Sequence, residues 1–154
     1  MPQLEISSLS ALSEWIDQPV PPSDWLAITQ ERINQFAQAS GDHQWIHVDT
    51  ERVSASPFGA TVAHGFLTLA LLSRFLNDTV QIHGVRMGVN CGVNRVRFTA
   101  PVKAGARLRA HFKLVSLEPI DGGVQLTWSA SIEQEGQEKP CCVAEWVQRR
   151  FGAS

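Results

Sequence analysis

The stretch HGFLTLALLSRFLN, residues 64–77, decides the architecture. Phe66, Leu67, Leu69, Ala70, Leu71, Leu72, Phe75 and Leu76 fall on nearly every side of a helix. A helix that is apolar nearly all round must be covered on most sides, so the rest of the chain has to wrap it. Its few polar members, notably Ser73, then need partners inside the protein.

Downstream the apolar period changes to two. Val85, Met87, Val89, Cys91 and Val93 alternate with Arg86, Gly88, Asn90, Gly92 and Asn94. The parity then flips to Val96 and Phe98, which predicts a bulge near Asn94 and Arg95. Leu108, Ala110, Phe112 and Leu114 predict a second strand. Val124, Leu126, Trp128, Ala130 and Ile132 predict a third, after a turn at Asp121, Gly122 and Gly123. Residues 141–151 predict the last strand.

Upstream, Ile6, Leu9, Leu12, Trp15 and Ile16 predict a short amphipathic helix over 4–17, broken by the prolines of PVPPSD, residues 19–24. Residues 25–28 suit a short strand. Thr29 is a natural N-cap for a helix to about Ala39, with Ile33, Phe36 and Ala37 inward and Gly41 as its stop. A further helical turn follows over 49–55, capped by Asp49 or Thr50. Helices precede strands, so the class is α+β with an antiparallel sheet curled round the long helix. The expectation is one domain over 1–154, with an N-terminal helical extension of about 1–24.

Composition narrows the function. The chain has 154 residues, 44% hydrophobic and 18% charged, with a formal charge of −2. That balance suits one globular core, and without a basic block nothing points to nucleic acid. The N-terminus does not read as a secretory signal, and no apolar run is long enough to span a bilayer. Cys91, Cys141 and Cys142 form no CxxC pair, which fits packed thiols in a reducing cytoplasm.

The chemistry concentrates in FAQASGDHQWIHVD, residues 36–49. Asp42 and His47 stand in one irregular segment or tight turn after Gly41. A neutral imidazole is a general base or acid near neutral pH, and a carboxylate beside it can orient it or share a water with it. The same residues also fit an Asp that caps a turn and a His that packs. Gly65 opens the apolar helix, where the amides lack helical partners and a ligand can approach the backbone. That amide could hold a thioester oxygen as it gains charge, or the glycine could serve only close packing. Ser73 could bond back to the catalytic loop or to its own helix. His64 could line a pocket, as could Trp45. His43 and His47 are spaced i, i+4, but Gln44 stands where a zinc protease motif has Glu, so no metal is expected.

At these residues the chain resembles the MaoC-like hydratases, which include the (R)-specific enoyl-CoA hydratases. The matching segments are residues 36–49, then FGATVAHGFLTLALLS (58–73), then RVRFTAPVKAGARLR (95–109), in order and with spacing kept. The resemblance runs from about Trp25 to Phe151. It is nearest to the nodulation-protein-N-like branch, which shares DHQWIHVD and a segment like MGVNCGVNRVRF. It implies a hot-dog fold, a homodimer with sites near the subunit interface, and an acyl-CoA thioester substrate with no metal or redox cofactor. Asp42 and His47 take the catalytic positions, Gly65 the amide that binds the thioester oxygen, and Ser73 a supporting serine. Many members have Asn-Pro where this chain has Gln44-Trp45; Gln44 can still donate and accept hydrogen bonds. Arg95, Arg97, Lys103 and Arg107 are candidates for CoA phosphates. The implied reaction is reversible hydration of a trans-2-enoyl-CoA. A hot-dog thioesterase and a non-catalytic acyl-CoA-binding subunit are the alternatives.

Overall fold

The computed structural model describes residues 2–152. The first expectation it corrects is the N-terminal helix. β1, Leu4–Ile6, pairs in parallel with β3, Val80–Ile82, and a 3₁₀ helix follows at Ser10–Trp15. Ile6 is buried from the strand, and Leu9 and Leu12 are buried from the start and the first turn of the 3₁₀ helix. The hydroxyl of Ser8 accepts from the Ala11 amide at 3.1 Å and holds the entry to that turn.

β2, Leu26–Ala27, leads into α1, Gln30–Ser40. The Thr29 hydroxyl accepts from the Arg32 amide at 3.1 Å, the expected N-cap. Gly41 ends the helix in the left-handed region at φ 79°, its N–H donating to the Ala37 carbonyl. Two short helices follow, α2 at Trp45–Val48 and α3 at Thr50–Ser54, the latter capped by Asp49. The segment from Asp42 to His47 is therefore irregular only in its first half; its second half is a helical turn.

The long helix is α4, Gly65–Ala70, continued by α5, Leu72–Thr79. Leu71 still donates to the Leu67 carbonyl and Phe75 to the Leu71 carbonyl, so the two form one rod with an irregularity at Leu71. Its buried side carries Leu67, Leu71, Leu72, Phe75 and Leu76. In this single chain the rod is not covered all round: Phe66 is 69% exposed, and Ala70, Arg74 and Asn77 also face outward.

Four long strands complete the fold: β4 (Val85–Phe98), β5 (Arg107–Ile120), β6 (Gly123–Gln134) and β7 (Cys142–Gly152). With β2 they form a five-stranded antiparallel sheet in the order β2-β5-β6-β7-β4. Its inner face supplies Leu108, Phe112, Leu126, Trp128, Ile132 and Trp146 to the core with α5. This is the hot-dog arrangement: a curled sheet round one central helix, in one domain. The expected bulge is present as a register shift between Asn94 and Arg97, with Arg95 at φ 53°. Cys141 and Cys142 are both buried, and burial pushes their thiols up, to about 12 and about 11. Among the described residues no helix is long and apolar enough to cross a membrane.

Candidate active site

The break between α1 and α2 aims Asp42 and His47 at the start of α4. His47 is 7% exposed, and its Nδ1 lies 2.6 Å from the Val62 carbonyl. A carbonyl only accepts, so Nδ1 carries the proton and Nε2 keeps its lone pair. The imidazole is thus held as the tautomer that a general base requires. Asp42 is exposed, and its Oδ1 accepts from the Gln44 amide at 3.2 Å, closing a turn that fixes the carboxylate.

His64 ties these parts together. It is 3% exposed, its ring stacks on His47 with centroids 3.8 Å apart, and its Nε2 donates to the Asp42 carbonyl at 3.0 Å. A carboxylate oxygen of Asp42 and one ring nitrogen each of His47 and His64 lie within 4.8 Å of one another. Such a trio offers donors a divalent cation could use. However, His47 Nδ1 and His64 Nε2 are both engaged with carbonyls, and His64 Nδ1 is buried without a hydrogen-bond partner among the described residues.

Two residues that sequence reasoning missed brace this loop. The Gln30 carboxamide donates to the His47 carbonyl at 2.8 Å and accepts from the Thr61 hydroxyl. Gln30 sits in the first turn of α1 and Thr61 just before Val62, so one side chain links the helix, the His47 turn and the carbonyl that fixes the imidazole. Nothing in the spacing of these residues signals that contact.

His47 and Gly65 line one cavity of about 250 Å³, together with Thr68, Phe98, Val102 and Cys141. Gly65 is the first residue of α4, so its amide points out of the helix start unpaired by the helix. A Cβ at this position would fall 2.8 Å from the Phe98 ring. The glycine therefore lets Phe98 close against the helix, and its backbone lines the cavity. Phe98 packs edge-on against Phe66, with centroids 6.0 Å apart, and both rings are largely exposed.

Other expected site residues fall elsewhere. Ser73 does not bond to the catalytic loop; it lines a separate groove between α5 and β4. The reason is helical phase: Gly65 and Thr68 face the His47 cavity, whereas Ser73 is carried along the rod to the groove walled by Asn90 and Trp146. Gln44 contributes a main-chain amide to Asp42, and its side chain is exposed. Trp45 does not line the cavity, and the Arg52 guanidinium covers its ring at 4.2 Å. Arg95 and Arg97 are exposed on β4, near Phe98 in sequence, while Arg107 is engaged with Glu135 at 2.9 Å. Lys103 is exposed beside the lining residue Val102.

Comparison with known proteins shows what the chain is similar to. The chain matches the MaoC-like domain over residues 12–134. It is 51% identical over 143 residues to 3-hydroxyacyl-thioester dehydratase Z of Mycobacterium tuberculosis, covering 92% of this chain and 95% of that one. It is 41% identical over 143 residues to nodulation protein N of Rhizobium meliloti, covering 91% and 89%. Among solved structures, the (R)-hydratase PhaJ1 of Pseudomonas aeruginosa superposes with a TM-score of 0.71 at 22% identity, covering 90% of this chain and 83% of that one.

Proposed function

The chain belongs to the MaoC-like dehydratase family, and from that premise we propose that this hydro-lyase is an (R)-specific enoyl-CoA hydratase, adding water reversibly to a trans-2-enoyl-CoA to give an (R)-3-hydroxyacyl-CoA. The observation that carries the reading is the bond from His47 Nδ1 to the Val62 carbonyl, which leaves Nε2 as a proton acceptor on a ring that has one nitrogen within 4.8 Å of an Asp42 carboxylate oxygen.

The reaction then runs as follows. A water sits between Asp42 and His47, with Asp42 accepting one of its protons to orient it. Nε2 removes the other proton as the water oxygen bonds to the β-carbon. The alkene electron pair moves toward the thioester, whose oxygen gains negative charge and is met by the Gly65 N–H. A preorganised donor of that kind contributes ~3 kcal/mol to the transition state. The proton on Nε2 is finally delivered to the α-carbon. Water is the only co-reactant, and no metal or redox cofactor takes part.

A homodimer is part of the proposal. β4 is paired on one side only, with β7. Its other edge is a 14-residue row of strand backbone flanked by exposed Met87, Val89 and Val93. An edge of this length is a template for another strand, and a second β4 placed antiparallel across a two-fold axis satisfies it.

Crotonyl-CoA hydration tests the mechanism. Asp42→Asn and His47→Gln should each reduce turnover by roughly 10²–10⁴-fold with unchanged circular dichroism. Near-normal turnover in either variant removes the mechanism. Release of free thiol from a saturated acyl-CoA without hydration would assign a thioesterase instead. Tight binding without turnover at every chain length would assign a binding subunit.

A further inference from the structure

Arg150 is a partly buried cation with no anion to match it among the described residues. Arg107 and Arg109 on the outer sheet face pair with Glu135 and Glu133. Arg150 pairs with no carboxylate among the described residues, and burial holds its guanidinium below its ordinary value. Its Nε donates to Gln148 Oε1 at 3.1 Å, and its two terminal nitrogens make no hydrogen bond among the described residues. Gln148 Oε1 also accepts from Trp128 Nε1 at 2.9 Å, so the residue that anchors Arg150 is itself fixed in the core.

The guanidinium lines a cavity of about 270 Å³ whose other side chains are neutral: Ser73 and Asn77 from α5, Asn90 from β4, and Trp146 and Gln148 from β7. Arg150 is its only charged wall among the described residues. Ser73, Asn90 and Trp146 also line the adjoining cavity of about 200 Å³, whose remaining walls are mainly apolar: Leu69, Ala70, Leu72 and Val93. The catalytic cavity touches the same rod at Gly65 and Thr68, and the same strand at Phe98. Along α4–α5 the order is therefore catalytic, apolar, cationic. Along β4 the same order runs backwards, through Phe98, Val93 and Asn90 to Gly88. At 1.5 Å per residue, Gly65 and Asn77 stand about 18 Å apart.

We propose that Arg150 recognises a carboxylate at the far end of the substrate's tail, which makes ω-carboxylated enoyl thioesters the favoured substrate class. The proposal rests on the hydratase reading for the reacting end of that substrate. A single planar guanidinium with two free nitrogens matches a monoanionic carboxylate through a two-pronged contact. The amides and hydroxyl around it supply neutral hydrogen bonds, and among the described residues no carboxylate lines the cavity to repel the ligand. The apolar cavity adjoining the guanidinium suits the methylenes of the tail. Its partial burial weakens competition from water, which favours a ligand that meets the charge.

Two trans-2-enoyl-CoA substrates of equal tail length, one ending in a carboxylate and one in a methyl group, test this. The wild type should show the higher kcat/KM with the carboxylate. The ratio between the two substrates should fall by ~10-fold or more in Arg150→Gln and recover only in part in Arg150→Lys. Calorimetric titration with a free long-chain dicarboxylate reads the site without turnover: binding to the wild type and its loss in Arg150→Gln supports the anion site even if no hydration is observed, which separates this inference from the hydratase reading. Equal kcat/KM for both substrates in the wild type overturns the tail assignment, whether or not the free diacid binds. An Arg150→Gln variant that changes the assembly mass and keeps the tail preference would also overturn it, assigning the guanidinium to a subunit contact.

Discussion

β6 and β4 both alternate apolar with polar side chains, yet β6 buries Val124, Leu126, Trp128, Ala130 and Ile132, whereas on β4 Met87 is 55% exposed and Val89 and Val93 are each 41% exposed. The difference is position in the sheet. β6 lies between β5 and β7 and is paired on both sides; β4 is the last strand and is paired on one side only. An alternating pattern states that one face wants cover. It does not say whether the cover comes from the same chain.

If β6 is sealed within the subunit, damage there should appear as lost folding stability. Trp128→Ala removes a fully buried ring and the donor to Gln148, and should cost about 3–5 kcal/mol in chemical denaturation. A loss below about 1 kcal/mol would mean that this core repacks easily and would break the contrast with β4.

If β4 is reserved for a second subunit, charges there should act on assembly. Val89→Lys combined with Val93→Lys should shift the mass measured by light scattering from dimer to monomer. The cost to the isolated subunit should stay within about 0.5 kcal/mol for each change, as for ordinary surface positions. An unaltered dimer would show that another face makes the contact.

The smallest effect belongs to the outer face of β5 and β6. Glu133 accepts from Arg109 at 2.6 Å and from His111 at 2.8 Å, and these hydrogen bonds, Arg109 first, hold its carboxyl below the usual 4.5. A lowered carboxylate stabilises the fold fully above its ordinary value and loses that contribution as pH falls through the lowered one. Solvent screening at this half-exposed site limits the effect to under about 1 kcal/mol. Denaturation curves of the wild type and Glu133→Gln should therefore converge as the pH drops below about 4.5; parallel curves down to acid would remove the ladder as a source of stability.

The legible parts of the sequence were those fixed by local chemistry. Thr29 and Gly41 bracket α1, the parity flip at Val96 marks the bulge, and the apolar run from Phe66 to Leu76 marks the rod. Asp42 and His47 stood out because a helix stop precedes them. The N-terminal segment differs from the expected helix because Ile6 belongs to a strand whose partner, β3, lies more than 70 residues away, a pairing that local spacing does not reveal. The Gln30 brace was invisible, since it joins two ordinary polar residues 31 positions apart. Ser73 was placed by its distance from Gly65, but the direction round the rod decides what it meets. Arg150 gave no signal because a strand arginine reads as a surface charge until the position of β4 and α5 is known.

The clasp between the Val62 carbonyl and His47 has a consequence for proton traffic. An imidazole fastened on one side has a single port, so it cannot pass a proton through from one face to the other. Whatever it collects it must return by the same opening, onto the bound molecule or back to the solvent that Asp42 borders. A catalyst with such a port has no built-in preference between forward and reverse chemistry, and the relative abundance of alkene and alcohol around it would set the direction of net flow.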